Sequence, residues 1–396
     1  MTTEMRRDAT PAAEHTETYS LGELVVYFVR LGSLGFGGPI ALVGYMQRDL
    51  VERRRWFTKQ DYLQGLALAQ LAPGPLAAQL AIYLGWLRSG TLGATLVSLA
   101  FILPSFVMVL ALSAVYVRYQ GLPWMTGAFY GIGAAVIAII ARSALKLVRM
   151  TLAKDVLLWM LFVVSALVTA ITESEVIWVF LLSGVAALVV KAPPRFRTCA
   201  VVFAPWPWLI SGLHGPASTS TVWTIMWYFA EAGAFVFGSG LAIVPFLHGG
   251  VVNDFHWLTE RQFLDAVAVA MITPGPVVIT VAFIGYLVAG LVGATAAAIG
   301  VFLPCYLFVV IPASYFRRSV DNPRVRAFVN GVTAAATGAI AGAAFVLGKR
   351  AVFDVPTAII CIATLVVLAR VKRVPEPVVI VGAGIVGVLV RTIGQP

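Results

Sequence analysis

Residues 58–75 read TKQDYLQGLALAQLAPGP, and residues 259–276 read TERQFLDAVAVAMITPGP. Both open on a threonine, run through a largely apolar stretch and stop at Pro-Gly-Pro. The match continues outward in one register. With a shift of 201 positions, Tyr27-Phe28 falls on Tyr228-Phe229, Gly32 on Gly233, Phe36-Gly37 on Phe237-Gly238 and Trp56 on Trp257. No gap is needed from Tyr27 to Pro75, and about a third of those positions are identical. One residue is then dropped, after which Gly85 meets Gly285, Gly93-Ala94-Thr95 meets Gly293-Ala294-Thr295, and Leu103-Pro104 meets Leu303-Pro304. Self-similarity on this scale decides the architecture before any local reading does. It divides the chain into a disordered tail (1–19), a first repeat (20–191), a linker (192–221) and a second repeat (222–396).

Composition says what solvent the repeats face. The chain has 396 residues, 60% of them hydrophobic and 12% charged, with a mean hydropathy of +0.91. A soluble domain carries roughly 25% charged residues, so this chain cannot cover a water-facing surface. A helix needs roughly 20 apolar residues to cross a bilayer, and stretches of that size recur from Leu24 almost to the end. The ten-residue alternation of a membrane barrel is absent. The fold class is therefore an all-α polytopic membrane protein, its backbone satisfied by helices within the lipid bilayer.

The net charge is +10. The Lys and Arg lie in short loops between apolar segments, as the positive-inside rule describes, and no polar domain exists to hold a nucleic acid. Cys199, Cys305 and Cys361 are far apart and give no zinc or disulfide spacing. The histidines form no HxxxH or HxH pair. No metal, no cofactor and no enzymatic chemistry is expected. The spans lack clustered His, Cys or paired carboxylates, and no Walker motif is present for ATP.

Loop charge orients the repeats. The loop after the first apolar stretch carries Arg48, Arg53, Arg54, Arg55 and Lys59. Its counterpart, 249–261, has only Arg261 against Asp254 and Glu260. Later the bias reverses: a lone Arg118 in the first half faces Arg317, Arg318, Arg324 and Arg326 in the second. That is the pattern of an inverted repeat. If 60–88 crossed the membrane, Arg142, Lys146, Arg149 and Lys154 would land outside. If it turns back at Pro73-Gly74-Pro75, they land inside with Lys191, Arg195, Arg197, Arg370, Lys372 and Arg373. About five spans and one re-entrant helical hairpin per half follow. The spans fall near 22–46, 91–117, 124–141, 155–172 and 176–190, then 222–247, 291–314, 327–347, 355–370 and 376–391. The first element of each half, broken at glycines, is either a broken span or a second hairpin. Symmetry puts the N-terminus outside, whereas Arg6 and Arg7 favour inside. Trp206 and Trp208 in the linker suit a membrane interface.

Each half has two helix breaks at membrane depth: Gly35-Phe36-Gly37-Gly38-Pro39 and Ala72-Pro73-Gly74-Pro75, then Gly238-Ser239-Gly240 and Thr273-Pro274-Gly275-Pro276. Proline ends a helix, and irregular backbone in a bilayer survives only inside protein or along a wet cavity. A helix starting after each break presents free N–H groups and about half a positive charge, a ready anion site. The substrate-binding candidates are Gly37, Gly38, Pro39, Pro73, Gly74, Pro75, Gly238, Ser239, Gly240, Pro274, Gly275 and Pro276. Donors from Gln70, Gln79, Ser239, Thr273 and Thr280 add to them. Charges within the apolar stretches are few. Arg30 and Glu231 occupy equivalent positions, so they are expected to pair across the repeat interface or to attract the anion and gate it. Asp265 lies near the mouth of the second hairpin, where water would solvate it, and is the remaining gating or proton-coupling candidate. His248 is expected at the interface.

These motifs carry a family resemblance. Phe36-Gly37-Gly38-Pro39, Val51-Glu52-Arg53-Arg54-Arg55-Trp56 and Leu71-Ala72-Pro73-Gly74-Pro75 resemble the first half of chromate ion transporters. Trp257-Leu258-Thr259, Ile272-Thr273-Pro274-Gly275-Pro276-Val277, Phe283-Ile284-Gly285-Tyr286 and Phe302-Leu303-Pro304 resemble the second half. The resemblance spans roughly 25–350 and implies the long two-domain form, in a bacterial inner membrane, exporting chromate. Related members are linked to sulfate, the isosteric dianion. The family often has His or Gln after the first Gly-Gly-Pro, where this chain has Ala41-Leu42. The expected partners are chromate or sulfate, protons as coupling ion, the lipid bilayer and a second copy in a homodimer, with no nucleic acid. Sulfate or other oxyanion uptake or exchange and an anion channel are the competing functions.

Overall fold

A computed structural model describes residues 17–36, 38–119, 123–152, 155–172, 177–192, 219–235, 243–316, 323–371 and 376–393. No strand occurs among them. Most of the expected tail and linker lie outside the described residues. The first repeat contains α1 (Leu21–Leu34), α2 (Gly38–Met46) running into a π-helical turn (Gln47–Arg53), α3 (Lys59–Leu71), α4 (Leu76–Tyr119), α5 (Pro123–Thr151), α6 (Val156–Thr172) and α7 (Ile177–Lys191). The second contains α8 (Thr219–Phe235), α9 (Ile243–His248) with its π-helical turn (Gly249–Asp254), α10 (Glu260–Ile272), a 3₁₀ turn (Val277–Ile279) leading into α11 (Thr280–Phe316), α12 (Pro323–Ala351), α13 (Val355–Arg370) and α14 (Glu376–Ile393).

The duplication is structural down to single residues. Thr58 and Thr259 match because both are N-caps. The Thr58 hydroxyl accepts from Asp61 N–H, and Thr259 forms a capping box with Gln262. Arg55 and His256 hold equivalent places and adopt φ of 50° and 52°, the two positive values off glycine among the described residues. Both long helices bend at equivalent points, Ser89-Gly90 and Ala289-Gly290, with Gly90 at φ 59° and Gly290 at φ 60°. Past each bend the chain folds back on itself. A Cβ on Gly85 would lie 2.5 Å from the Gly93 carbonyl, and the Gly285–Gly293 pair repeats the contact. The dropped residue falls where the second repeat uses its 3₁₀ turn, which takes 3.0 residues rather than 3.6.

The stretch expected as a span over 22–46 is not one helix. Gly35 ends α1, its N–H bonding to the Leu31 carbonyl at 2.7 Å. The outer ends then meet: Glu17 N–H donates to the Arg55 carbonyl at 2.9 Å, and the Tyr19 ring stacks on Trp56 at 4.9 Å. The Arg54 guanidinium lies over both Trp56 and Tyr27. Residues 21–53 therefore form a helical hairpin with both ends on one face of the bundle. The second repeat does likewise, Tyr228 donating to the Phe246 carbonyl at 2.9 Å and meeting Phe255 and Trp257 edge-on. Helices of 14 and 9 residues rise only about 21 and about 14 Å, too little to cross separately. α3 and residues 76–88 make a second hairpin, with Gly65 against the Tyr83 ring.

The remaining helices interlock the repeats. The second legs of α4 and α11 pack together, with Thr95, early in one, hydroxyl to hydroxyl with Tyr306, late in the other, at 2.8 Å. Gly127 and Gly131 of α5 press on Gly387 and Ala383 of α14, and Gly338 and Gly342 of α12 press on Phe162 and Ala166 of α6. Small residues four apart let backbones touch, the usual device of helices in lipid. Outside, Leu92, Leu96, Leu99, Leu103 and Val107 form an exposed apolar stripe on α4, and Val292, Ile299, Leu303, Leu307 and Ile311 form one on α11. Stripes that long are a liability in water and suit a hydrocarbon surround. Among the described residues, four helical stretches, Leu76–Tyr119, Trp124–Arg142, Val277–Ala313 and Arg326–Lys349, are long and apolar enough to cross a membrane.

Candidate anion site

The two Pro-Gly-Pro turns need glycine. Gly74 has φ 137° and Gly275 φ 99°, values that a side chain rarely tolerates. Space forbids one as well. A Cβ on Gly74 would sit 2.5 Å from Gln79 Nε2 and 3.0 Å from Cys305 Sγ. One on Gly275 would overlap the Ser105 hydroxyl. Ser105 and Cys305 are repeat equivalents, so each turn docks on the long helix of the opposite half.

The same two residues reach the first breaks. Ser105 Oγ–H donates to the Gly32 carbonyl at 3.2 Å, and Cys305 Sγ–H to the equivalent Gly233 carbonyl at 3.6 Å. Gly275 N–H donates to the Gly35 carbonyl at 3.0 Å. The second break of one repeat thus touches the first break of the other. Ser105 and Cys305 are fully buried. They follow Pro104 and Pro304, and that shared Leu-Pro register was the one sequence signal that could have singled them out.

Placement of the other candidates is mixed. Gly37, Gly238, Ser239 and Gly240 lie outside the described residues. Gly38 and Pro39 open α2. Pro73, Pro75, Pro274 and Pro276 frame the turns, and α4 begins at Leu76, so its first N–H groups have no intrahelical partner. Three of the expected side-chain donors have local partners. Thr273 Oγ1–H donates to the Val269 carbonyl and Thr280 Oγ1–H to the Val277 carbonyl, both at 2.7 Å. Gln79 Nε2–H donates to the Pro73 carbonyl at 2.5 Å, which braces the turn and leaves its buried Oε1 without a partner. Gln70 is exposed. Backbone amides at the start of α4 are donors left beside the Gly74 turn.

The charged candidates also need correction. No ion pair joins Arg30 to Glu231: Arg30 is exposed beside Val26 and Val29 on α1, and Glu231 is half-buried on α8. The docked contacts of α1 run through Leu31 and Gly32 instead, which turns Arg30 away. Asp265 is not solvated at a mouth. It is 4% exposed and accepts from the Tyr116 hydroxyl of the other repeat at 2.8 Å. His248 is 3% exposed and pairs with Glu260 at 2.8 Å, so it is buried rather than interfacial. Tyr116 was missed because nothing near it in sequence hints at a partner 149 positions away.

The family model for chromate transporters matches twice, over residues 22–188 and 223–388. The chain belongs to the chromate transporter family. It is 57% identical over 388 residues to a chromate transport protein of Cupriavidus metallidurans, covering 96% of each chain. It is 56% identical over 377 residues to a probable chromate transport protein of Synechococcus elongatus, covering 94% of this chain and 96% of the relative. A chromate transport protein of Pseudomonas aeruginosa is 33% identical over 392 residues. No solved structure matches. As a chromate transporter family member the chain is a multi-pass membrane transport protein and not an enzyme, and the two family matches coincide with the internal duplication.

Proposed function

We propose that this chain is a secondary transporter that exports chromate across the bacterial inner membrane, with protons as the coupling ion. The carrying observation is the contact between halves, where the Gly275 turn meets Gly35 and Ser105 at a fully buried centre. Helix starts at such turns suit a tetrahedral dianion, because N–H groups and helix dipoles hold negative charge without a formal cation. Three relatives carry chromate transport in their names.

Each repeat then enters the membrane as two re-entrant hairpins and crosses four times. The face bearing Arg53, Arg54, Arg55, Lys59, Arg149, Lys191, Arg324 and Arg370 is cytoplasmic, in keeping with the positive-inside rule. Residue 17 lies on that face beside Arg55, so α1 starts inside. Four crossings leave Lys191 inside as well. The meeting of Thr95, early in the second leg of α4, with Tyr306, late in α11, supports starting the second repeat outside, an inverted arrangement.

Uptake of labelled chromate into everted vesicles tests this reading, with sulfate as competitor and an uncoupler in parallel. Saturable uptake that the uncoupler abolishes is expected. Indifference to chromate would remove the substrate, and indifference to the uncoupler would remove the proton link. Flux without saturation would favour a channel.

A further inference from the structure

One ionisable group is sealed away from the turns. Asp265 lies one turn into α10, and its bond from Tyr116 is its sole hydrogen bond or ion pair among the described residues. The Tyr116 ring is wedged between Phe129 of α5 and Phe283 of α11, edge-on to both. No other charged or titratable group, Arg118 and Tyr119 of α4 included, bonds Asp265 among the described residues. Arg261, on the same helix, donates to the Thr126 carbonyl of α5 at 3.3 Å. Tyr130 of α5 donates to Asp354, and Arg391 of α14 lies over the Tyr130 ring. Glu260 pairs with His248. Asp254, at the end of the π-helical turn, and Tyr286 of α11 make no bond to Asp265.

A buried carboxylate held by one neutral hydroxyl is costly to keep ionised. In a membrane an ionisable residue so placed is a functional candidate. Packing does not require an acid here, because the equivalent position in the first repeat is the amide Gln64. Eight residues along α10 separate Asp265 from Thr273 at the turn, about 12 Å of helix. At that range, in a low-dielectric interior, an ionised carboxylate and a dianion repel each other appreciably.

We propose that Asp265 is a proton-binding site, held by Tyr116 of the opposite repeat, whose proton binds together with the oxyanion at the Pro-Gly-Pro turns. This deepens the transport reading and rests on the anion site described there. The sign follows from linkage: a dianion at the turns favours the protonated acid, and the protonated acid equally favours the dianion. A dianion moving with one proton carries one net negative charge. A membrane potential negative inside drives that charge outward.

The test is calorimetric binding to the purified full chain between about pH 7 and about pH 9, using chromate and, separately, sulfate, whose charge is constant over this range. Wild type should lose affinity as pH rises, by up to roughly tenfold per pH unit for a single linked proton, with one proton taken up per anion. D265N should bind the anion with no pH dependence, and D265E should restore the dependence. Wild-type binding that ignores pH would overturn the proposal, as would D265N retaining the wild-type slope. A folded D265N that binds neither anion at any pH would do the same. Failure of wild type to bind either anion is a different result and would remove the anion site itself. Binding of sulfate alone, still pH-linked, would support the proton site and overturn only the choice of chromate.

Discussion

Gly275 concentrates the chemistry of the centre in one position. Its φ of 99° and the Ser105 hydroxyl against its Cα leave no room for a methyl group. Gly90 also has a positive φ, 59°, but nothing lies within 4 Å of a Cβ there. The two sites therefore separate backbone strain from steric exclusion. Gly90→Ala should cost about 1 kcal/mol of stability and leave transport near wild type. Gly275→Ala should reduce transport at least tenfold, and Gly275→Leu or Gly74→Leu should abolish it while the protein still inserts. Vesicle flux normalised to membrane-inserted protein reads all four variants. Both glycines were legible in the sequence because Pro-Gly-Pro recurs in register. Their partners were not, since Ser105 reaches Gly275 across the repeats and no local pattern encodes a contact that long.

At the scale of elements, helix ends and close crossings carry the stability. Asp155 caps α6 through the Leu157 and Leu158 amides and pairs with Lys191 at the end of α7. The Lys191 hydrogen bond, helped by those amides, holds the Asp155 carboxyl below its usual range. A lowered folded value means the pair stabilises fully above the unfolded value near about 4 and loses its contribution as pH falls through the folded one. Lys191→Met should thus destabilise the protein in detergent at neutral pH by no more than about 1 kcal/mol, read as a lower melting temperature, because the pair is partly exposed. The difference should close on acidification below about pH 4. Gly131→Leu drives a side chain into the Ala383 carbonyl of α14 and should destabilise by about 3 kcal/mol or more, read by the same melting curves. The hairpin of α3 with residues 76–88 was legible from loop charge. The hairpin of α1 with α2 was only half legible. Its glycine break is plain, but an apolar run from 22 to 46 also has the length of a span, and the Glu17–Arg55 bond that joins the outer ends leaves no periodicity behind.

At the scale of the molecule, two copies of one design embrace through exchanged parts: α5 packs on α13 and α14, and α12 on α6 and α7. Neither repeat closes its own centre, because Ser105 serves Gly275 and Cys305 faces Gly74. A membrane-impermeant thiol reagent should reach cysteines placed at Glu17 and Lys59 from the cytoplasmic face only, and cysteines at Thr219 and Glu260 from the outer face only. Labelling of all four from one side would mean repeats of like orientation. The duplication and the paired breaks made this architecture readable from sequence, whereas the local carbonyl partners of Gln79, Thr273 and Thr280 were not, since no pattern marks a side chain that bonds its own turn or the turn before it. The most direct measurement is an experimental map of the chromate-bound protein. Anion density between the Gly74 and Gly275 turns, within hydrogen-bonding reach of backbone N–H groups from both repeats, is expected; density held by side chains elsewhere, or turns lying apart at the headgroups, would contradict it.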